Sequence, residues 1–328
     1  MVMHWLRRLQ PIFLLLALLF VTLLLRSQWT DLRAYDWQIH AGWLLASALL
    51  MLASWLMEIG IWRHLLALVG GALPFAAAVR IWFLSAIMRY IPGNVWQPLS
   101  MTVFCRRWSI RPEVTVTSVA LYQAVLLLAA APMALLYAGV TGTQGAFFSR
   151  PAGATVWLAM GALLPGLIFI ARPQWLIQLM NWALARMGRE VLPVRLSTPG
   201  LLALLLIAAL NWLLWGASFA ALAFGLGDYN TGDLMRLAPP LILAYPIAYA
   251  IGFLSFITPS GFGAREGAFV LLLTPGMDAG VVTVIALAMR VWTTAGELLM
   301  AGGAFLWARA VRAPELEGEP MREAAYER

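Results

Sequence analysis

The residues Phe256-Ile257-Thr258-Pro259-Ser260-Gly261-Phe262-Gly263-Ala264-Arg265-Glu266-Gly267, FITPSGFGAREG, lie between two of the most apolar runs of the chain. A proline, three glycines, an arginine and a glutamate stand together where the flanking sequence is suited to hydrocarbon. Interrupted backbone at that depth leaves N–H and C=O groups unpaired, which is tolerated only where protein buries them or a wet cavity lines them. The stretch therefore predicts a broken helix facing a pocket.

The rest of the chain supplies the membrane. Hydrophobic residues make up 62% of the 328 and charged ones 11%, too little polar surface to cover a soluble globule of this length. Runs long enough to cross about 30 Å of hydrocarbon fall at 11–25, 41–62, 114–139, 152–171, 199–225 and 281–308. The sequence reads as an all-α, polytopic integral membrane protein with six spanning helices and two further broken segments, eight hydrophobic segments in all. Arg7 and Arg8 precede the first run as they would in a signal peptide, but Arg26-Ser27-Gln28-Trp29 after it is no small-residue cleavage site, so the run reads as a retained helix.

Every one of the 22 basic residues is arginine. Without lysine there is neither a Walker A phosphate loop nor a Schiff base. Cys105 is the single cysteine, and His4, His40 and His64 are scattered, so no disulfide framework, metal site or cofactor is expected and an enzyme is not the expected class. A sequence pI of about 10.2 suggests nucleic acid at first sight. The arginines, however, sit in short segments between apolar runs, as the positive-inside rule requires, and nucleic acid is not an expected partner. An inside amino terminus places Arg7, Arg8, Arg63, Arg106, Arg107, Arg111, Arg172, Arg186, Arg189, Arg195, Arg309 and Arg312 on the cytoplasmic side. Only Arg26, Arg33, Arg150 and Arg236 then fall outside, and both termini are cytoplasmic.

This orientation holds only if the two broken runs do not cross. Residues 75–105 begin beside Arg63 and end at Arg106 and Arg107, so the segment enters from the cytoplasm and returns. Residues 237–275 begin after Asp228, Asp233 and Arg236 and end near Asp278, so that segment enters from outside. Two re-entrant broken-helix hairpins of opposite orientation are the pattern of an inverted-repeat transporter, and Phe83-Leu84-Ser85 echoes Phe253-Leu254-Ser255 before each break. The alternative is that 81–103 and 237–257 are ordinary spans without a repeat. Residues 1–310 read as one transmembrane domain whose halves, 1–171 and 199–310, are joined by an interfacial cytoplasmic helix at 173–190. That helix is expected to present Gln174, Gln178, Asn181, Arg186 and Arg189 on one face, with Trp175, Leu176, Leu179, Trp182 and Leu184 elsewhere. Residues 311–328 read as a short charged tail, disordered by composition.

At the second break Gly263 is placed to cap a half-helix starting at Ala264, with Glu266 at its third position; at the first, Asn94 and Gln97 have the same spacing. Each new N-terminus would present unpaired N–H groups and a partial positive charge. Arg80, Arg89, Arg265 and Arg290 lie in or beside apolar runs, with Glu58, Glu266 and Glu297 at similar depths. A mid-bilayer arginine costs about 2.5–3.5 kcal/mol on the insertion scale, so partners are required. One reading has Arg89 and Arg265 binding the phosphate of a lipid headgroup, with Tyr90 and Trp96 lining the site and Glu58, Glu266 or Glu297 able to carry a proton. The other has Arg265 and Glu266 pairing with charges on the opposite half as a structural clasp, with Arg80 merely snorkelling to the interface.

At these two breaks the chain resembles the flippase-like transmembrane region of lysylphosphatidylglycerol synthases. The resemblance rests on Arg89, Tyr90, Pro92, Gly93, Trp96 and Gln97 in the first and on Pro259, Gly261, Gly263, Arg265 and Glu266 in the second. It implies a lipid translocase of the bacterial plasma membrane, moving a charged phospholipid or a polyprenyl-phosphate-linked sugar between leaflets. The aminoacyl-transfer domain of the two-domain synthases is not in this sequence, so lysylphosphatidylglycerol synthesis is not expected of it. A competing class is a non-transporting scaffold for a partner glycosyltransferase or lipid synthase in envelope biogenesis. A translocase needs a cavity reaching both hairpin tips, whereas a scaffold does not. Headgroup, direction, coupling ion and oligomeric state are not encoded in any motif.

Overall fold

A computed structural model describes residue 26 and residues 37–86, 88, 96–141, 164–186, 188–255 and 261–310. The expected first span 11–25, most of the span at 152–171, the tail 311–328, and Arg89, Tyr90, Pro92, Gly93, Asn94 and Pro259 lie outside the described residues. The rest folds as α1 (Ala41–Leu68), α2 (Phe75–Ala86), α3 (Trp96–Cys105), α4 (Pro112–Thr141), α5 (Gln174–Arg186), α6 (Thr198–Gly225), α7 (Thr231–Leu254), α8 (Ala264–Leu273) and α9 (Ala279–Ala310). Residues 164–171 are also helical, and no strand occurs among the described residues.

Five of these helices are long and apolar enough to cross a membrane: α1, α4, α6, α7 and the Ala279–Trp307 part of α9. The chain is a multi-pass membrane protein. Four of the five match expected spans. The fifth, α7, forms the first arm of the 237–275 run and ends before the expected break; it is 24 residues long, contains Pro239, Pro240 and Pro246 without breaking, and has the length of the ordinary span that is the alternative for 237–257. Pro246 has no N–H to give the Ile242 carbonyl four residues back. Gly216 of α6 comes against that same oxygen, so close that a Cβ there would collide with it. Neighbouring helix thus covers the carbonyl that the proline leaves open.

The bundle is built on close helix contacts rather than on hydrophobic segregation, since lipid tails are as apolar as the core. Ser47 Oγ donates to the Ser218 carbonyl at 2.8 Å and Ser218 Oγ to the Ser47 carbonyl at 2.9 Å, drawing α1 and α6 together. Trp62 Nε1 donates to Ser118 Oγ of α4, and Trp212 Nε1 of α6 to the Leu126 carbonyl of α4. The His40 N–H donates to the Gly225 carbonyl, so α1 starts at the end where α6 finishes. Asn230 caps α7 by accepting from the Asp233 N–H, and Asp278 caps α9 by accepting from those of Gly280 and Val281.

Two helical hairpins enter this frame from opposite ends. In the first, α2 packs on α3. Its open end lies with the start of α4, and the Arg80 guanidinium of α2 rests 5.7 Å from the Trp307 ring of α9. In the second, α8 runs back along α7: Gly261 abuts Gly252, and a Cβ on Gly276 would touch Leu237. The sequence echo has a structural counterpart. α2 and α7 end beside it, and Ser85 Oγ donates to the Trp82 carbonyl as Ser255 Oγ donates to that of Gly252.

The helix expected at 173–190 is found as α5, with its faces turned from the expected sense. Asn181 exchanges two hydrogen bonds with the Leu192 backbone, and Gln174 Nε2 donates to the Leu196 carbonyl, so these polar groups face the protein. Trp175 and Trp182 are 51% and 59% exposed and Leu179 is exposed beside them. The connection behind α5 is extended chain with donors and acceptors to satisfy, and the polar side chains are used there instead of in water.

Candidate functional site

The second break is organised by two glycines and a glutamate. Gly261 has φ +69° and its Cα lies against the backbone of Gly252, where a Cβ would come 2.6 Å from the Gly252 carbonyl oxygen. Gly263 has φ 86° and stands before the first residue of α8. Both need the left-handed region that glycine alone reaches without strain. Glu266 Oε2 accepts the Gly263 N–H at 2.7 Å, which is the cap expected from the spacing, and α8 begins at Ala264 as expected. The other oxygen, Oε1, accepts from Arg290 Nε of α9 at 2.9 Å. Glu266 is 1% exposed, so this carboxylate is fixed from both sides within the protein. The expected pairing of Glu266 with the opposite half is corrected: α9, which belongs to the same half, comes directly after α8 and supplies the nearest guanidinium. Arg290 also stacks over the Phe262 ring at 4.8 Å.

Arg265 takes a different place. No carboxylate lies within ion-pair distance of it among the described residues. Its guanidinium lies 4.6 Å from the ring centre of Tyr245, 5.9 Å from that of Tyr249 and 5.8 Å from that of Phe269. Flat aromatic faces attract a cation, and Tyr245 also shares a side-chain hydrogen bond with the guanidinium. Nη2 is buried and has no hydrogen-bond partner among the described residues.

A cavity of about 820 Å³ opens beside this guanidinium. Its deep end is lined by Glu58, Trp215, Tyr245, Gly252, Gly261 and Arg265, and its mouth by Arg106, Glu113, Leu184 and Arg189. Gln97 and Pro98 of the first hairpin line it as well, together with Arg290 and Glu297 of α9. Both hairpins thus reach one cavity. At the mouth, Arg189 bonds Glu113 at 3.0 Å and Arg111 bonds Glu190, tying the chain after α5 to the start of α4. The mouth is the arginine-rich end of the bundle.

Of the candidate residues within the described regions, Glu58, Gln97, Gly261, Arg265, Arg290 and Glu297 line the cavity. Gly263 and Glu266 shape the break instead. Trp96 opens α3. Arg80 lies on the Trp307 ring and does not line the cavity. The sequence reading missed Trp212, Trp215, Tyr245, Tyr249 and Gln123, which form most of the aromatic wall; Gln123 Nε2 donates to Tyr249 Oη at 3.2 Å. A signal was present in Asn211, a polar residue in the apolar run beside two tryptophans, and in Tyr245 and Tyr249, one helical turn apart. Polar groups inside apolar runs mark functional positions in membrane proteins. Among the described residues, no group of three His, Cys, Asp or Glu side chains could hold a metal ion.

Comparison with known proteins gives a family. The Lysylphosphatidylglycerol synthase TM region family matches residues 10–301, nearly the whole chain. Among curated proteins, none matches it in sequence.

Proposed function

The chain belongs to the Lysylphosphatidylglycerol synthase TM region family, and from that premise we propose that it is a lipid translocase, moving a phospholipid or a polyprenyl-phosphate-linked glycolipid between leaflets without a nucleotide. The observation that carries this reading is the single cavity lined by residues of both hairpins, with the Arg265 guanidinium at its deep end and an unpartnered donor on that side chain. A headgroup phosphate supplies the oxygens that this donor lacks, and guanidinium matches phosphate geometry better than any other side chain. The hairpins are read as re-entrant, so a headgroup bound between their tips stands near the middle of the bilayer, where a translocase must lower the barrier. The arginine-rich mouth is assigned to the cytoplasm by the positive-inside rule, in the plasma membrane of a bacterium.

The experiment is leaflet exchange of fluorescent phospholipids and of a polyprenyl-phosphate sugar in liposomes holding the purified protein. Wild type is compared with Arg265→Ala and Arg265→Lys. Exchange falls at least tenfold in Arg265→Ala, since a charge-assisted hydrogen bond is lost, and recovers only in part in Arg265→Lys, which donates from a point charge. Full activity of Arg265→Ala overturns the site. No exchange of any lipid by well-folded, incorporated wild type overturns the translocase and favours a scaffold for a partner envelope enzyme.

A further inference from the structure

The cavity carries a second charged group, in contact with the same aromatic stack as the first. Glu58 of α1 is 8% exposed and lines the cavity. Its Oε1 accepts from Trp215 Nε1 at 2.8 Å and from Asn211 Nδ2 at 3.4 Å. A carboxylate this far from bulk water is costly to maintain, and these two donors come from one helix, α6, which fixes its position. The Trp215 ring stacks on Tyr245 at 5.5 Å with 5° between the planes, and Tyr245 is the ring on which Arg265 lies. Arg265 thus lies on the Tyr245 ring and Glu58 bonds the Trp215 N–H of one Trp–Tyr stack, and both residues line the cavity.

Resting on the translocase reading of this cavity, we infer that its deep end is a two-pole headgroup site. Arg265 takes one phosphodiester, and Glu58 takes a hydrogen-bond donor, an ammonium or a hydroxyl, on the group attached beyond that phosphate. Glu58 is then a specificity-determining residue: it selects for what the phosphate carries. A second phosphate is disfavoured, because Arg290 is already bonded to Glu266, and Glu297, 3% exposed, adds another carboxylate to the wall. A headgroup whose ammonium is fully methylated has no donor to offer Glu58, and a bare phosphate monoester has neither the donor nor the single charge.

The test uses four lipids with the same fluorescent acyl chain: phosphatidylethanolamine, phosphatidylglycerol, phosphatidylcholine and phosphatidic acid. In wild type, ethanolamine and glycerol lipids exchange about tenfold faster than the other two, the value of one hydrogen bond to a charged acceptor. Glu58→Gln lowers the ethanolamine lipid several-fold more than the glycerol lipid, because the amide oxygen still accepts from either donor but the lost charge had strengthened the bond to the ammonium most. Trp215→Phe, which keeps the stack but removes the N–H holding Oε1, narrows the ethanolamine-to-choline ratio without matching the loss of Glu58→Gln. Equal rates for ethanolamine and choline lipids in wild type overturn the inference, as does a Glu58→Gln loss shared equally by every headgroup. The site is also read without transport, from the thermal midpoint in detergent with short-chain lipids. A larger shift with ethanolamine than with choline in a protein that moves no lipid supports the site and removes the translocase. Equal shifts remove the site whatever the exchange rates show.

Discussion

At the residue scale, the sequence pair Arg265-Glu266 divides into two unlike functions, because neighbours on a helix point about 100° apart. Glu266 turns to the protein and is consumed by structure: it caps α8 through Gly263 and holds Arg290 of α9. Arg265 turns to the cavity and the aromatic wall. The consequence for stability is specific. Glu266→Ala leaves the α8 cap empty and strands a guanidinium that is 19% exposed, so it costs about 3–5 kcal/mol and lowers the thermal midpoint sharply. Combining it with Arg290→Met removes the stranded charge and restores most of the loss. A double variant no more stable than Glu266→Ala alone would show that the pair is not what holds α8 to α9. The cap was legible in the sequence because it depends on residues three apart. The partner was not, since Arg290 lies 24 positions away on another helix and nothing local distinguishes it from Arg80.

At the element scale, the second hairpin depends on chain crossing chain at glycine. Gly261 sits at φ +69° with Gly252 backbone where its Cβ would be, and Gly267, inside α8, has nothing within 4 Å of its Cβ position. The two glycines invite opposite outcomes from the same substitution. Gly261→Ala forces apart α7 and the start of α8 and adds about 1–2 kcal/mol of left-handed strain, so the variant expresses poorly or melts early. Gly267→Ala gains up to about 1 kcal/mol from helix propensity and raises the thermal midpoint. A Gly261→Ala protein as stable as wild type would mean that the close crossing is not required. The same scale explains how α7 runs unbroken through three prolines. Proline within an apolar run suggests a break, but Gly216 lets α6 cover the Ile242 carbonyl that Pro246 leaves open, and this remedy lies on a different helix.

At the scale of the whole molecule, the cavity follows from hairpins that enter from opposite ends and line it together with α1, α4, α6 and α9. With Cys105→Ser as background, a cysteine at position 97, on the cavity wall, reacts with a membrane-impermeant thiol reagent applied on the side of Arg106 and Arg189. One at position 272, where Leu272 is buried and its carbonyl accepts from Tyr137 Oη, reacts from neither side. Labelling of position 97 only from the opposite side would reverse the assigned direction of the mouth. The sequence by itself determined the membrane class, four of the spans, the placement of the break at Gly261 and Gly263, and the cap at Glu266, because hydropathy, glycine conformation and capping act over a single turn or a single span. Only the tertiary structure decided that Arg290 answers Glu266, that Arg265 lies on Tyr245 rather than on an acid, that α5 turns its tryptophans outward, and that Glu58 and Trp215 share the cavity with both hairpins. Those facts depend on which helices become neighbours, and in a chain whose surface and core are equally apolar, hydrophobic pattern does not choose neighbours. Close-fitting glycines, reciprocal serine hydrogen bonds and buried charge pairs do, and each of these joins residues far apart in the chain.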